Sequence, residues 1–493
     1  MNPLKKYALF AGNPEFTRNL WQEFTLARLV VPPVVLMLMI ALVVFATDSK
    51  GDDVRNRVFM VIGSVGFVLI TILWGVRQAV DALMQEFSEG TWDSQRMSGL
   101  TPVQVLWGKL FGGTVAAWYV GALLLALFLY ASWQGGALSV ALTLKGIVAL
   151  VLSAVIMHTI CMSSLLAIWR KRGRQLGKGM RGVVSLPIIF VFLGIWFFSG
   201  LFRILSYRYG VRNIEVTYAQ WFGLEVQWVN LLLFMLASLS VWMLIGLWQQ
   251  FRSELQFRNR PWWWLGFLVF WMVMLAGFVN EQWDMRGIMT SPWHTYLLIC
   301  LFFVLLTVYM RLFYERKDAM TWLRFFGALK NRERDKFLAL FPSWGISLGI
   351  AVVLAVALFV WMGVSPPNMS VDNADLNWRM GVDLGRGISL FLLSLLFFVF
   401  RDVMLVLWLN LSKNNVRADG AAILYLMVFY LLLPWLAASI FDPEMAFLFT
   451  PLLSSDGESG ISWLYIISPA VQVVVMAGLL FKRWQDRKGT MLN

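Results

Sequence analysis

Val30-Val-Pro-Pro-Val-Val-Leu-Met-Leu-Met-Ile-Ala-Leu-Val-Val-Phe-Ala-Thr47 runs without a single charged side chain. A helix needs about 20 mostly apolar residues to cross about 30 Å of hydrocarbon. Lipid offers no partner to an open N–H or C=O, so such a run has to be helical. Working outward, the same rule marks twelve runs, at 30–47, 60–77, 110–132, 145–169, 183–201, 228–250, 262–279, 294–311, 343–364, 388–409, 420–441 and 461–481. The expected fold is an all-α polytopic membrane protein of about twelve transmembrane helices. Composition agrees: 59% of the 493 residues are hydrophobic and 14% charged, against about 25% charged in soluble domains. Disordered, collagen-like and disulfide-scaffold classes are excluded with it. The two cysteines, Cys161 and Cys300, sit in apolar runs and read as packing. Met1 to Gly12 lacks the apolar core and small-residue site of a cleaved signal peptide, so none is expected.

The net charge of +13 acquires meaning once it is placed. With the N-terminus inside, 31 of the 41 Lys and Arg fall in inner segments, while the 28 acids divide evenly. The inner face then carries about +17 and the outer face about −4, the bias of a chain with both termini cytoplasmic. The expected location is a bacterial cytoplasmic (inner) membrane, multi-pass. In this tally Lys109 snorkels at the inner interface and Arg401 opens an inner loop, 401–419. Within the spans the only titratable side chain expected besides cysteine is His158. Ion-coupled carriers usually need buried carboxylates, so their absence points to an external energy source.

The runs divide into two six-span halves, 1–250 with an N-terminal interfacial helix, and 251–493. In each, the longest inner segment follows the second span (77–109 and 311–342). At an offset of 234, Trp74-Gly75-Val76-Arg77 lies against Val308-Tyr309-Met310-Arg311, a parallel duplication by hypothesis. In the first inner segment, Arg77 to Phe87 prolongs the second span, with Ala82, Leu83, Met84 and Phe87 as an apolar stripe. Gly90 stops that helix, and Thr101-Pro102 caps and opens the next.

The stretch Glu86-Phe-Ser-Glu89-Gly90-Thr91-Trp92, followed by Thr101-Pro102 and Gly108-Lys109-Leu110, resembles the permease subunits of type-2 ATP-binding-cassette (ABC) exporters. That resemblance implies a coupling helix after the second span, with Glu86, Glu89, Gly90 and Thr91 in the elbow that docks on the ATPase. It implies partners too: cytoplasmic ABC ATPase subunits, two by the two-half plan, with membrane lipids around them and room for further membrane or periplasmic subunits. ATP and magnesium belong to the ATPase. Neither Gly108-Lys109 nor Gly177-Lys178 fits a phosphate-binding loop, so this chain binds no cofactor and is expected to carry no catalytic residue. The cargo class suggested is lipid-like, amphiphilic or an envelope compound. The alternative is a polytopic membrane enzyme or envelope-assembly factor acting at the outer loops.

The second half lacks the Glu-Gly-Thr pattern. Its segment 314–329 is amphipathic, with Trp322, Phe325 and Phe326 on one face, and by analogy docks an ATPase groove; lying flat on anionic lipid is the competing reading. Loop 170–181 has six basic residues and no acid, yet sits between two spans without interleaved aromatics, so no nucleic-acid partner is expected. Met157, His158, Cys161 and Met162 share a helical face with ligands soft enough for copper(I), but a packed histidine explains them as well and no metal site is assigned. Between the fifth and sixth spans, Tyr207, Tyr209 and Trp221 mark an outer exit region by resemblance, or an aromatic belt by composition. The acids of 365–387 (Asp372, Asp375 and Asp383) read as a solvated outer loop.

Overall fold

A computed structural model describes residues 12–136, 139–172, 218–279, 292–364, 374–412, 418–440, 443–451 and 464–492. Ten of its helices are long and apolar enough to cross a membrane, the architecture of an all-α polytopic membrane protein. The run 183–201 and the basic loop 173–181 lie outside the described residues, and the run 262–279 becomes a shorter helix, Trp262–Ala276. The chain divides into two compact units, Met1–Ala219 with Glu225–Asn259, and Gln220–Leu224 with Arg260–Asn493.

In the first unit a short helix, α1 (Pro14–Glu23), precedes α2 (Leu26–Thr47). Asn13 caps α1 by accepting the amides of Glu15 (3.1 Å) and Phe16 (3.3 Å), with Pro14 at the first helical position. Pro33 inside α2 has no N–H to give Leu29, four residues back. Tyr119 Oη fills that vacancy, donating to Leu29 O at 3.1 Å. Next, α3 (Asp52–Phe67) passes through a π-helical segment, Val68–Trp74, into α4 (Gly75–Glu89). After α5 (Trp92–Met97) and α6 (Pro102–Trp107), a second π-helical segment, Gly108–Gly112, leads to α7 (Val115–Gly135), α8 (Val140–Arg172) and α9 (Trp228–Glu254). α3 packs on α7 and α8 on α9. Gly63 brings α3 so close that a Cβ there would stand 2.8 Å from Leu124 O, the small-residue contact typical of membrane helices.

The second unit holds α10 (Trp262–Ala276), α11 (Pro292–Tyr314), α12 (Ala319–Lys330), α13 (Arg334–Leu340), α14 (Ser343–Val364), α15 (Ala374–Asn410), α16 (Ala418–Met427), α17 (Leu433–Ile440) and α18 (Leu464–Leu492). Residues Val428–Leu432 join α16 to α17 as a third π-helical segment. α11 packs on α14 and α15 on α18 around a continuous apolar core that includes Val304, Leu358, Leu392 and Val406. Helix α15 begins at Ala374, so the outer loop expected over 365–387 is largely helix, with Asp375, Arg379, Asp383 and Arg386 on it. Asp372 lies outside the described residues.

Candidate functional site

The elbow after the second span is densely bonded among polar side chains. Helix α4 ends at Gly90, whose φ of +73° is the left-handed stop that glycine adopts without strain. The amide of Thr91 returns to Glu86 O at 3.1 Å, which turns the chain into α5. Thr101 then caps α6 in a reciprocal box: its hydroxyl accepts the Gln104 amide (3.3 Å) while Gln104 Oε1 accepts the Thr101 amide (3.0 Å). Both stop and cap follow the sequence reading.

Glu86 points inward. Its Oε1 accepts from Lys109 Nζ, Arg18 Nη2 and Gln95 Nε2, and its side chain is buried. Lys109 has no exposed surface and also reaches Glu15 Oε1 at 2.7 Å. It does not snorkel. The two carboxylates hold its ammonium inside the protein, because a buried cation persists only when paired. Asn19 Nδ2 completes the cluster, donating to Glu15 Oε1 and to Gly108 O, both at 3.1 Å. Gly108 is required there: a Cβ would overlap Glu15 Cγ and stand 2.9 Å from Phe16 N. The motif residues Glu86, Gly108 and Lys109 thus form one lock, and α1 is its third part.

A second layer fastens α5 to the C-terminal ends of α8 and α9. Phe87 stacks on Trp169 (4.2 Å, 3°) and meets Trp92 edge-on at 5.2 Å. Arg170 Nη2 donates to Gln250 O at 2.6 Å and Arg170 Nε to Glu254 Oε1 at 2.5 Å, while Arg96 Nε donates to Glu254 O at 2.7 Å. What remains outside is the tip: Glu89, Thr91, Asp93 and Met97 are exposed, Met97 by 82%. Among the predicted elbow residues, Glu86 is therefore internal, while Glu89, Gly90 and Thr91 face out.

In the second unit Trp322, Phe325 and Phe326 pack into an aromatic cluster with Phe337, Phe341, Trp344 and Trp484. Only Phe326 of the three is exposed. Glu315, between α11 and α12, receives the Ser343 amide on both carboxylate oxygens at 3.1 Å. Burial there pushes its carboxyl above the usual carboxylate range, opposed by Arg311, Ser343 and Lys317.

The expectation of charge-free spans fails at α15. Arg401 and Asp402 are fully buried within it, Arg401 Nε and Nη2 donating to Asp402 Oδ1 at 2.9 and 2.8 Å. Tyr309 and Tyr430 each donate to Asp402 Oδ2 at 2.6 Å, and Arg401 Nη1 donates to Gln472 Oε1 at 2.7 Å. Arg401 also lies over the rings of Phe398 and Phe429, 4.7 Å from each. Arg401 is thus no loop residue, and the argument from missing intramembrane carboxylates no longer holds.

His158 Nε2 donates to Thr71 O at 2.8 Å, at the π-helical segment of the second span, with Trp118 edge-on at 5.7 Å. Cys161 is buried in an apolar cluster with Met162 and Leu165. No group of three metal-ligating side chains occurs among the described residues. Trp221 sits beside a hairpin turn, Phe222-Gly223, and gives its indole N–H to Met274 O at 3.2 Å. Tyr207 and Tyr209 lie outside the described residues. No family model, curated protein or solved structure matches the chain.

Proposed function

We propose that the chain is the membrane permease of an ABC exporter, in a bacterial inner membrane, moving a lipid-like or amphiphilic compound with ATP hydrolysed by separate cytoplasmic subunits. The observation that supports this reading most is the elbow. Its base is locked by Lys109 between Glu15 and Glu86, and between Glu89 and Gly99 every residue but Trp92 and Gln95 is exposed. A lever fastened on its inner side to the helices and exposed on its other side suits a part that passes a push from a partner to the spans α3, α7, α8 and α9. The two-half organisation belongs to the same proposal. It is supported by the packing order: the helix before each long inner segment pairs with the helix after it, α3 with α7 and α11 with α14.

Purification of the tagged chain in mild detergent tests the reading. A stoichiometric soluble ATPase should accompany it, and Glu89→Ala or Gly90→Pro should lower transport and the stimulation of that ATPase together. A chain that purifies with no ATPase points to the enzyme or assembly-factor alternative. A second reading, a carrier driven by an ion gradient, is favoured by Asp402, a carboxylate buried in a span beside two tyrosines. Transport abolished by an ionophore while ATP is held constant would select it.

A further inference from the structure

Most of the aromatic face of α12 is used inside its own unit, but one edge is open. Where Phe326 meets Trp484, with ring centroids 5.6 Å apart, a groove of about 310 Å³ opens at the surface. Trp322 and Phe326 of α12, Met404 and Leu407 of α15, and Ala477 and Trp484 of α18 form its walls, which are almost wholly apolar. Nothing in the lining would recognise a polar ligand.

The polar information lies on two of its walls, beyond the lining residues. The lining stripe of α12 continues from Phe326 to Lys330, and that of α18 from Trp484 to Lys488, each four residues on. Four residues advance about 6 Å along the same helical face, so each lysine stands one turn beyond the ring contact. Both are exposed, and neither pairs with an acid among the described residues. The neighbouring arginines are occupied: Arg483 donates to Trp408 O and Arg487 to Leu411 O, both at 2.8 Å. The helix carrying Lys488 also carries Lys482, which is exposed but about 100° round the helix from Phe481 and off the lining stripe.

We propose that this groove binds an acyl chain of an anionic diacyl phospholipid, whose phosphate is held by Lys330 and Lys488. An apolar slot with an unpaired cation one helical turn beyond the ring contact on each of two walls matches an amphiphile with one tail in the slot and a net negative head. A zwitterionic head supplies the same tail, but its own cation opposes the two lysines. The proposal does not rest on the ATPase reading, and it gives Trp322 and Phe326, expected from sequence to dock an ATPase, to a lipid instead.

Native mass spectrometry of the full chain, equilibrated in mild detergent with equal amounts of phosphatidylglycerol and phosphatidylcholine, tests it. The protein should retain phosphatidylglycerol in preference. Lys330→Gln and Lys488→Gln should each lower the ratio about fivefold, equivalent to about 1 kcal/mol per basic residue near the headgroups. Lys482→Gln should leave it unchanged. Ala477→Trp, which fills the groove, should remove one tightly held lipid. All three lysines are at the surface, so melting temperatures should match the parent and the ratio decides by itself. Equal retention of both lipids by the parent, or a Lys482→Gln loss as large as that of Lys330→Gln, overturns the site.

Discussion

Lys109 and Asp402 are buried charges that survive by being paired, and both pairs make the same thermodynamic prediction. Taking one partner away strands the other in low dielectric, whereas removing both can be nearly neutral. Lys109→Met should therefore destabilise the chain by about 3–5 kcal/mol. Adding Glu15→Gln and Glu86→Gln should recover part of that loss, read as melting temperature in detergent. Arg18 is 41% exposed on its side chain and solvent-screened, so Arg18→Ala should cost far less. At the second pair, Asp402→Ala should cost about as much as Lys109→Met. Tyr309→Phe removes one of the three residues that bond Asp402 and should cost about 1–2 kcal/mol. A result in which Tyr309→Phe equals Asp402→Ala would mean the tyrosine, not the arginine, carries the site.

Helix ends decide how the elbow responds to substitution. Gly90 and Gly108 look alike in sequence, both beside motif residues, but the structure separates them. Gly90 has open space and a left-handed backbone, so Gly90→Ala should cost only about 1 kcal/mol, all of it conformational. Gly108→Ala drives a methyl into Glu15 and should free α1, which protease digestion near residues 12–25 would detect. Equal sensitivity of the two variants would remove α1 from the lock. In the other unit, Glu315 binds α11 to the first turn of α14. Its carboxyl is raised by burial, so the folded state holds its proton to higher pH than the unfolded chain. The stability this contributes is present at low pH and is lost as pH rises through the folded value. Melting temperature should fall with pH in that range, and Glu315→Gln should flatten the profile. The elbow was legible in sequence because its signals are local: a glycine stop, a Thr-Pro cap, a lysine at the next span. The Arg401–Asp402 site was not. Two adjacent charges read as the end of a span, and the groups that make them tolerable arrive from 28, 71 and 93 residues away. The role of α1 was hidden likewise, since Glu15 and Lys109 meet only once the chain is folded.

At the scale of the whole molecule the open quantity is orientation, and charge argues it. Moving Arg401 from the expected inner loops to the interior lowers the inner total by one cation, and Asp402 leaves with it, so the expected inner excess of about +17 and outer −4 are unchanged. The bias that sets topology rests on short loops near span ends, and the elbow tip and α12 both belong to such segments. Met97 at that tip and Leu329 on α12 are exposed, and Trp133, at the other end of α7, is 73% exposed. Cys161 and Cys300 are both buried and should not react, so each position can be tested in the native background as a single introduced cysteine. In intact cells a membrane-impermeant maleimide should label Trp133→Cys, and should label Met97→Cys and Leu329→Cys only after permeabilisation. Labelling of Met97→Cys from outside would invert the chain and place the elbow where no cytoplasmic ATPase could reach it. Labelling of Met97→Cys and Leu329→Cys from opposite sides would break the parallel arrangement of the halves, because a duplication with an even number of spans puts both long loops on one face.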